Sequence, residues 1–273
     1  MPVLVAPDAF GGELRAPVVA AAIGRGLERA GCAPPSLCPV AGGGPGTIEA
    51  LLPALGGETG DGFALVEDGA TAIVELGEAA VTGERLAAAG AAGAAVVLLA
   101  AGAGAGVGSA AGEVVGADGV VEADGVVEAD EVIEADEVIE ALDDHGGLRG
   151  AALVVLCDVR DPGPLAVALR DEGGARLVAG VPFVLEALDF DARMLAAHAV
   201  VVGERRLDRS TLRGRVAGEI ATRARQAGVP CHAVAGTNAI DRFDARILDL
   251  QAILEAGTIA EFEAAGQALA AYL

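Results

Sequence analysis

Lysine is absent from this 273-residue chain: all 18 basic residues are arginine. That excludes Schiff-base chemistry through a lysine amine and a phosphate loop of the GxxxxGK[ST] type. Any side-chain cation that grips phosphate here must be a guanidinium, whose planar fork suits the task. Tryptophan is absent and aromatic residues make up only 3%, so the core must be built from Ala, Val, Leu and Ile. Positive charge is scarce against 40 acidic residues, leaving a formal net charge of −22. This excludes general nucleic-acid binding, which needs a basic surface to displace counterions. The four cysteines, Cys32, Cys38, Cys157 and Cys231, have neither metal nor disulfide spacing, and read as reduced thiols of a cytoplasmic chain. His145, His198 and His232 show no metal spacing either, and the last two fall in apolar strand contexts as core or edge residues. No signal peptide is expected, because no basic segment precedes the apolar start and Asp8 interrupts it. Leu86 to Gly112 carries no charge, a run long enough to span a bilayer. Only VVLL at 96–99 is strongly apolar, so a helix, a short buried strand and a glycine loop are expected, and no membrane association.

The apolar share is 53% and glycines number 40, enough for one large domain or two smaller ones. VLVAP near the start stops at Asp8, as a buried strand ending in a loop would. Residues 17–30 have helical spacing, with Pro17 suited to the first turn and Gly31 to the stop. LCPVAGGGPGT, 37–47, is a strand breaking into a glycine loop ahead of a helix over 47–55. Further strands are expected at 70–76, 94–100, 152–159, 198–204 and 229–236. Strands alternating with helices, with glycines and acids at strand carboxyl ends, specify an α/β protein with a mostly parallel sheet. In such sheets ligands sit outside the carboxyl ends of the strands.

Two segments stand out. Residues 113–142 read EVVGAD, GVVEAD, GVVEAD, EVIEAD, EVIEAL, with 13 acids and no base from Glu113 to Asp144. An even period keeps a strand's faces constant but rotates a helix's apolar stripe, and the expectation is a solvated helix or partly disordered insert without chemistry. Opposite in sign, VVVGERRLDRSTLRGRV at 200–216 crowds five arginines into positions 205–215. Either these meet an anion, or Arg205, Arg209 and Arg213, four apart, form one solvated stripe of a helix.

Several segments, in order, resemble the type-I glycerate kinase family. APDAFGGELRA (6–16) is similar to APDSFKGSLSA, PVAGGGPGT (39–47) to PVADGGEGT, and CDVRDP (157–162) to CDVxNP. TAIVE (71–75) and TGE (82–84) match lesser signatures, and VPCHAVAG (229–236) follows in place. The strongest match is VVVGERRLDRSTLRGRV to ITGEGRLDxQSLxGKV. The resemblance implies ATP-dependent phosphorylation of D-glycerate with Mg²⁺, by a Rossmann-like three-layer domain made from both chain ends (1–60 plus 185–273). A second α/β domain, 61–184, is inserted between them, with the active site in the cleft. It implies small-molecule and nucleotide partners, and is compatible with a homo-oligomer. On this resemblance Asp208, Asp158 and Asp8 are catalytic. Arg206, Arg215, Glu204, Gly43 and Gly44 bind substrate or phosphate, and Asp158 with Asp161 holds the metal. The departures are also clear. Gly11 stands where the family has Lys, Ala9 where it has Ser, and Gly42 and Pro45 where it has Asp and Glu. AGAGAGVGS (101–109) replaces GGSATNDGG, so Val107 and Gly108 stand for its Asn and Asp.

Phosphoryl transfer needs positive charge on the phosphates, a carboxylate-held Mg²⁺ and a group to orient or deprotonate the hydroxyl. Each candidate also has a plain structural reading. Asp208 and Glu204 can act as an N-cap and as ion-pair partners of nearby arginines, and Asp158 can cap a turn. Asp8 can bond loop amides, and the glycines at 42–46 can serve only a tight turn. Three functions therefore stay open: an active kinase, a degenerate relative that keeps the fold and an anion or nucleotide site, and a self-associating protein built on the acidic repeats.

Overall fold

The apolar opening run forms β1 (Val3–Pro7), buried at every position. α1 (Ala16–Arg29) follows, with Pro17 in its first turn, then the short β2 (Ser36–Leu37). The chain continues beside β1 as far as Val40, whose amide donates to the Pro7 carbonyl at 3.0 Å. The glycine loop then leads into α2 (Thr47–Leu55). This computed structural model describes residues 1–60, 62–102 and 133–273. The first three acidic hexapeptides, the first two residues of the fourth, and Val107 and Gly108 lie outside the described residues. The chain divides into two compact units, Met1–Glu58 with Ala179–Leu273, and Thr59–Val178.

The second unit contains β3 (Gly57–Gly60), β4 (Phe63–Val66), β5 (Thr71–Glu75), α3 (Ala79–Ala91) and β6 (Val96–Gly102). After these come α4 (Ala135–Asp144), β7 (Ala152–Cys157), α5 (Pro164–Asp171) and β8 (Arg176–Ala179). Its sheet runs β3-β4-β5-β6-β7-β8. β4 meets β5 antiparallel, and β5, β6 and β7 are parallel. Alternate residues of these strands, Val74, Leu99 and Val155, pack with Leu86 of α3, Val138 of α4 and Leu165 of α5. The last acidic copy departs from the solvated insert expected of it. In α4, Val138 and Leu142 are buried while Asp136, Glu137 and Glu140 stay exposed. A Cβ on Gly83 of α3 would stand 2.6 Å from both the Ala141 Cβ and the Val138 carbonyl. Four-residue spacing puts the two apolar side chains on one stripe, and Gly83 lets the helix backbones close on each other.

The first unit resumes with α6 (Gly180–Ala187), α7 (Phe190–Leu195), β9 (Ala199–Leu207), α8 (Val216–Ala227) and β10 (Cys231–Asn238). It closes with α9 (Arg242–Ile247), β11 (Leu250–Glu255) and α10 (Ile259–Leu269). The sheet order is β11-β10-β9-β1-β2, and every neighbouring pair is parallel. Val3 and Val5 of β1, Val201 of β9 and Val234 of β10 pack against Ile23 and Leu27 of α1 and Phe262 of α10. The alternate residues, such as Leu4, Val200 and Val202, are equally buried, on the face where α8 contacts β9 and packs with α6 and α7. This is the Rossmann-like α/β arrangement, helices on both faces of a parallel sheet. α1 leads away from β1 on one face and α8 leads away from β9 on the other. The β1/β9 pair is therefore the topological switch point, where doubly wound sheets hold their ligands.

His232 on β10 is 1% exposed, and neither ring nitrogen has a hydrogen-bond partner among the described residues. Burial first, and His198 second, push its pKa down, so it sits in the core as a neutral ring. Among the described residues no helix is long and apolar enough to cross a membrane.

Candidate active site

The carboxyl ends of β1 and β9 meet at Asp8 and Glu204. The Asp8 amide donates to the Gly203 carbonyl at 2.9 Å, and a Cβ on Gly203 would stand 2.6 Å from the Pro7 Cβ. A glycine is required at that crossing. Glu204, 7% exposed, lies with Oε1 3.6 Å from the Arg215 guanidinium and accepts from the Thr211 hydroxyl at 3.4 Å. Asp8 accepts from the Ala9 amide at 2.7 Å. Burial raises the Asp8 carboxyl to about 6, against the Ala9 amide and Arg215. Burial also raises Glu204 to about 7; Arg215 opposes this while Asp8 and Asp208 add to it. Two carboxyls that change charge near neutrality thus share one guanidinium.

Asp208 is satisfied differently. It caps the 3₁₀ turn Arg209–Arg213, accepting from the Ser210 amide at 2.8 Å and from the Ser210 hydroxyl. Its other oxygen takes the Arg206 Nε at 3.0 Å. Burial works to raise its carboxyl, but the Ser210 hydroxyl and amide and Arg206 outweigh it and hold it below the usual range. The helical stripe considered for Arg205, Arg209 and Arg213 does not form. Pairing with β10 extends through Leu207 and draws Arg205 and Arg206 into β9, while Arg209 and Arg213 occupy the turn. Gly214, at φ +94°, bends the chain into α8, with Arg215 at its N-cap. A Cβ on Gly218 would stand 1.8 Å from the Thr211 carbonyl, so α8 presses directly on the turn that carries Asp208.

Gly43 and Gly46 have left-handed φ of 83° and 88°, and the Thr47 hydroxyl closes the loop on the Gly44 carbonyl at 2.5 Å. A Cβ on Gly180, at the start of α6, would stand 2.6 Å from the Gly42 carbonyl, and one on Gly42 would stand 3.6 Å from Val216, the first residue of α8. The loop is therefore gathered beside the beginnings of α2, α6 and α8, none of which has a side-chain cap. The first turns of α6 and α8 present backbone N–H groups of the kind that can meet an anion. Position 11 supplies no cation: it is Gly11, at φ +96°, and a Cβ there would meet nothing within 4 Å.

In the second unit Asp158 follows β7 and takes the structural role open to it. It accepts from the Arg160 amide at 3.0 Å, and its carbonyl accepts from the Asp161 amide at 3.1 Å. Among the described residues no three His, Cys, Asp or Glu side chains gather to hold a metal ion. Thr211 and Gly203 were not among the residues singled out from sequence. Gly203 acts through Pro7, far off in the chain, whereas Thr211 acts locally, in a capping box with Asp208.

The raised carboxyls set a pH dependence of stability. Well below the ordinary values of 3.8 and 4.5, both are protonated in the folded and unfolded chain. Between about 4 and 7 the unfolded chain gives up protons that the folded chain keeps, so stability falls as pH rises. Asp8→Asn retains the Ala9 bond without the charge. Urea unfolding from pH 4 to 8 is expected to show a shallower decline for the variant, and higher stability than wild type at pH 8. Parallel curves would refute the assignment.

The sequence pattern defining the Glycerate kinase family matches residues 3–86 and 162–269. A stretch of 63 residues is 40% identical to a protein of Halalkalibacterium halodurans named glycerate kinase. That match covers 23% of this chain and only 17% of the relative's length. A crystal structure from Salmonella typhimurium LT2, assigned as glycerate kinase 2, superposes with a TM-score of 0.66 at 19% identity. The superposition covers all of this chain and 98% of that one; it shows a shared fold.

Proposed function

Because the chain belongs to the glycerate kinase family, we propose that it transfers a phosphoryl group from ATP to a hydroxyl of D-glycerate. The observation that carries this reading is the pair of near-neutral carboxyls, Asp8 and Glu204, at the switch point with Arg215 against them. Magnesium–ATP, when bound, supplies the transferable group and neutralises part of its charge; Asp158 and Asp161 are the carboxylates proposed for the metal. Arg215, and Arg206 held by Asp208, hold phosphate oxygens as charge spreads over them. The free amides of the glycine loop, around Gly43 and Gly44, add neutral donors. The acceptor oxygen bonds to phosphorus as the bond to the departing diphosphate breaks, ADP keeping the electron pair. The hydroxyl proton passes to a carboxylate oxygen of Glu204 or Asp8. Asp208, with a lowered carboxyl and both oxygens engaged, is a poor proton acceptor, and its role is to position Arg206.

A second reading is favoured by Gly11, Gly42 and Pro45, which stand where the motifs carry charge: a non-catalytic relative with a nucleotide site. Purified protein with Mg-ATP and D-glycerate decides between them. ADP and phosphoglycerate, followed by coupled assay and ³¹P NMR, are expected. Calorimetric ATP binding without turnover would support the second reading, and neither binding nor turnover would overturn both.

A further inference from the structure

Arg205 plays no part in the reading above, yet β9 places it at the same mouth. Strand alternation sends Glu204 and Arg206 toward α8 and sends Gly203 and Arg205 to the opposite face. The faces are fixed independently. Glu204 meets Arg215 and Thr211 at the start of α8. A Cβ on Gly203 would instead stand 3.2 Å from Phe10, whose ring packs edge-on against Phe262 of α10 with centroids 4.8 Å apart. Arg205 lies at the level of Gly236 on β10, where a Cβ would stand 2.5 Å from the Arg205 carbonyl and 3.4 Å from Phe10. Its side chain thus leaves the sheet just beyond the Phe10 ring, beside the Asp8–Leu14 loop. It is exposed, and among the described residues it has neither an ion pair nor a side-chain hydrogen bond, whereas Arg206 and Arg215 each have a carboxylate. Relative to the motifs quoted above, position 11 has lost a cation and position 205 has gained one.

We propose that Arg205 binds the carboxylate of the hydroxy-acid substrate, from the side of the crevice opposite the phosphate donors. The division follows from the two faces. The glycine loop and the uncapped starts of α6 and α8 lie on the α8 face with Arg206 and Arg215, a set of donors suited to a polyphosphate. On the α1/α10 face the exposed cation at this level among the described residues is Arg205 alone, beside the short Asp8–Leu14 loop, and a guanidinium takes a carboxylate through two parallel hydrogen bonds. Asp8 and Glu204, beside Arg215, then stand where the hydroxyl of that acid must give up its proton.

The inference rests on the kinase reading, and the test separates the two. Turnover by the wild type tests the reading; the Arg205 variants test the inference. Arg205→Ala is expected to raise the KM for D-glycerate at least tenfold while leaving the KM for ATP, and the unfolding midpoint, within twofold and within error of wild type. Arg205→Lys, which keeps charge without the fork, should recover part of the loss. An unchanged glycerate KM, or a rise in the ATP KM alone, would overturn it. If the wild type does not turn over, calorimetric titration with D-glycerate decides: weaker binding to Arg205→Ala supports the proposal. Equal binding to both proteins, or none to the wild type, overturns it.

Discussion

Gly26→Val or Gly266→Val is expected to leave the chain unable to fold at 37 °C. Helices α1 and α10 cross with their backbones in contact. A Cβ on Gly26 would stand 2.1 Å from the Glu263 carbonyl, and one on Gly266 would stand 2.2 Å from the Ile23 carbonyl. Backbone atoms cannot yield as a flexible side chain can, so the helices must separate. Separation exposes the layer they close, including Ile23, Leu27, Phe262 and Leu269, all fully buried. Exposing one such side chain costs about 1.5–3 kcal/mol, so opening the layer costs on the order of the 5–15 kcal/mol that holds a typical protein together. The ion pairs of Glu263 with Arg25 and Arg29 across the same crossing are half exposed on the arginine side and contribute little by comparison. Ala268→Val, on the exposed side of α10, is the control and should cost only a helix-propensity increment of about 0.5 kcal/mol. Soluble yield and thermal unfolding measure all three. A Gly266→Val protein that melts within a few degrees of wild type would show that the helices do not cross as described.

Arg215→Ala is expected to carry the largest catalytic loss, about 100-fold or more in kcat/KM, from removal of one electrostatic stabiliser worth about 3 kcal/mol. Arg215 acts twice in the proposed reaction: it holds phosphate charge, and it is the cation that opposes the burial-driven rise of both Glu204 and Asp8. Its removal therefore has a signature beyond lost rate. The acid limb of the pH–rate profile should move to higher pH, because the carboxyls must still ionise to accept a proton. Arg215→Lys, keeping the charge, should hold the limb near its wild-type position. A drop in rate with an unmoved acid limb would leave Arg215 as a phosphate contact alone and would remove Glu204 and Asp8 as proton acceptors.

The missing charges at positions 11, 42 and 45 bear on the same comparison. The two site arginines, Arg215 at a lysine position of the motif and Arg206 at an arginine position, are both tied to carboxylates, at 3.6 Å and 3.0 Å. Electrostatic positioning in the first unit is thus carried by one arginine-rich segment with its own counter-charges, and single substitutions there should be costly.

Much of this was legible in the chain itself. The buried strands β1, β7, β9 and β10 are runs of valine, leucine and alanine ending in an acid or a glycine, and α1 and α2 are bracketed by proline and glycine; both are local signals. β4 and β11 were not legible. One is four residues long and the other, LQAILE, mixes polar and apolar positions, so both depend on a neighbouring strand for their definition. β9 ran three residues past the expected end because β10 pairs with it through Leu207, turning a would-be helical stripe into a strand followed by a tight turn.

By itself the sequence determined the α/β class, the family and the identity of the ionisable groups, because periodicity, turn residues and motif strings are written over short spans. Only the tertiary structure decided which carboxyls are pushed toward neutrality and which is held ionised. Asp208 sits in the strongest motif but is quenched by neighbours two residues away, whereas Asp8 and Glu204, 196 positions apart, are laid side by side by the β1/β9 pairing. Proton affinity depends on burial and on nearby charge, and both are properties of the folded neighbourhood.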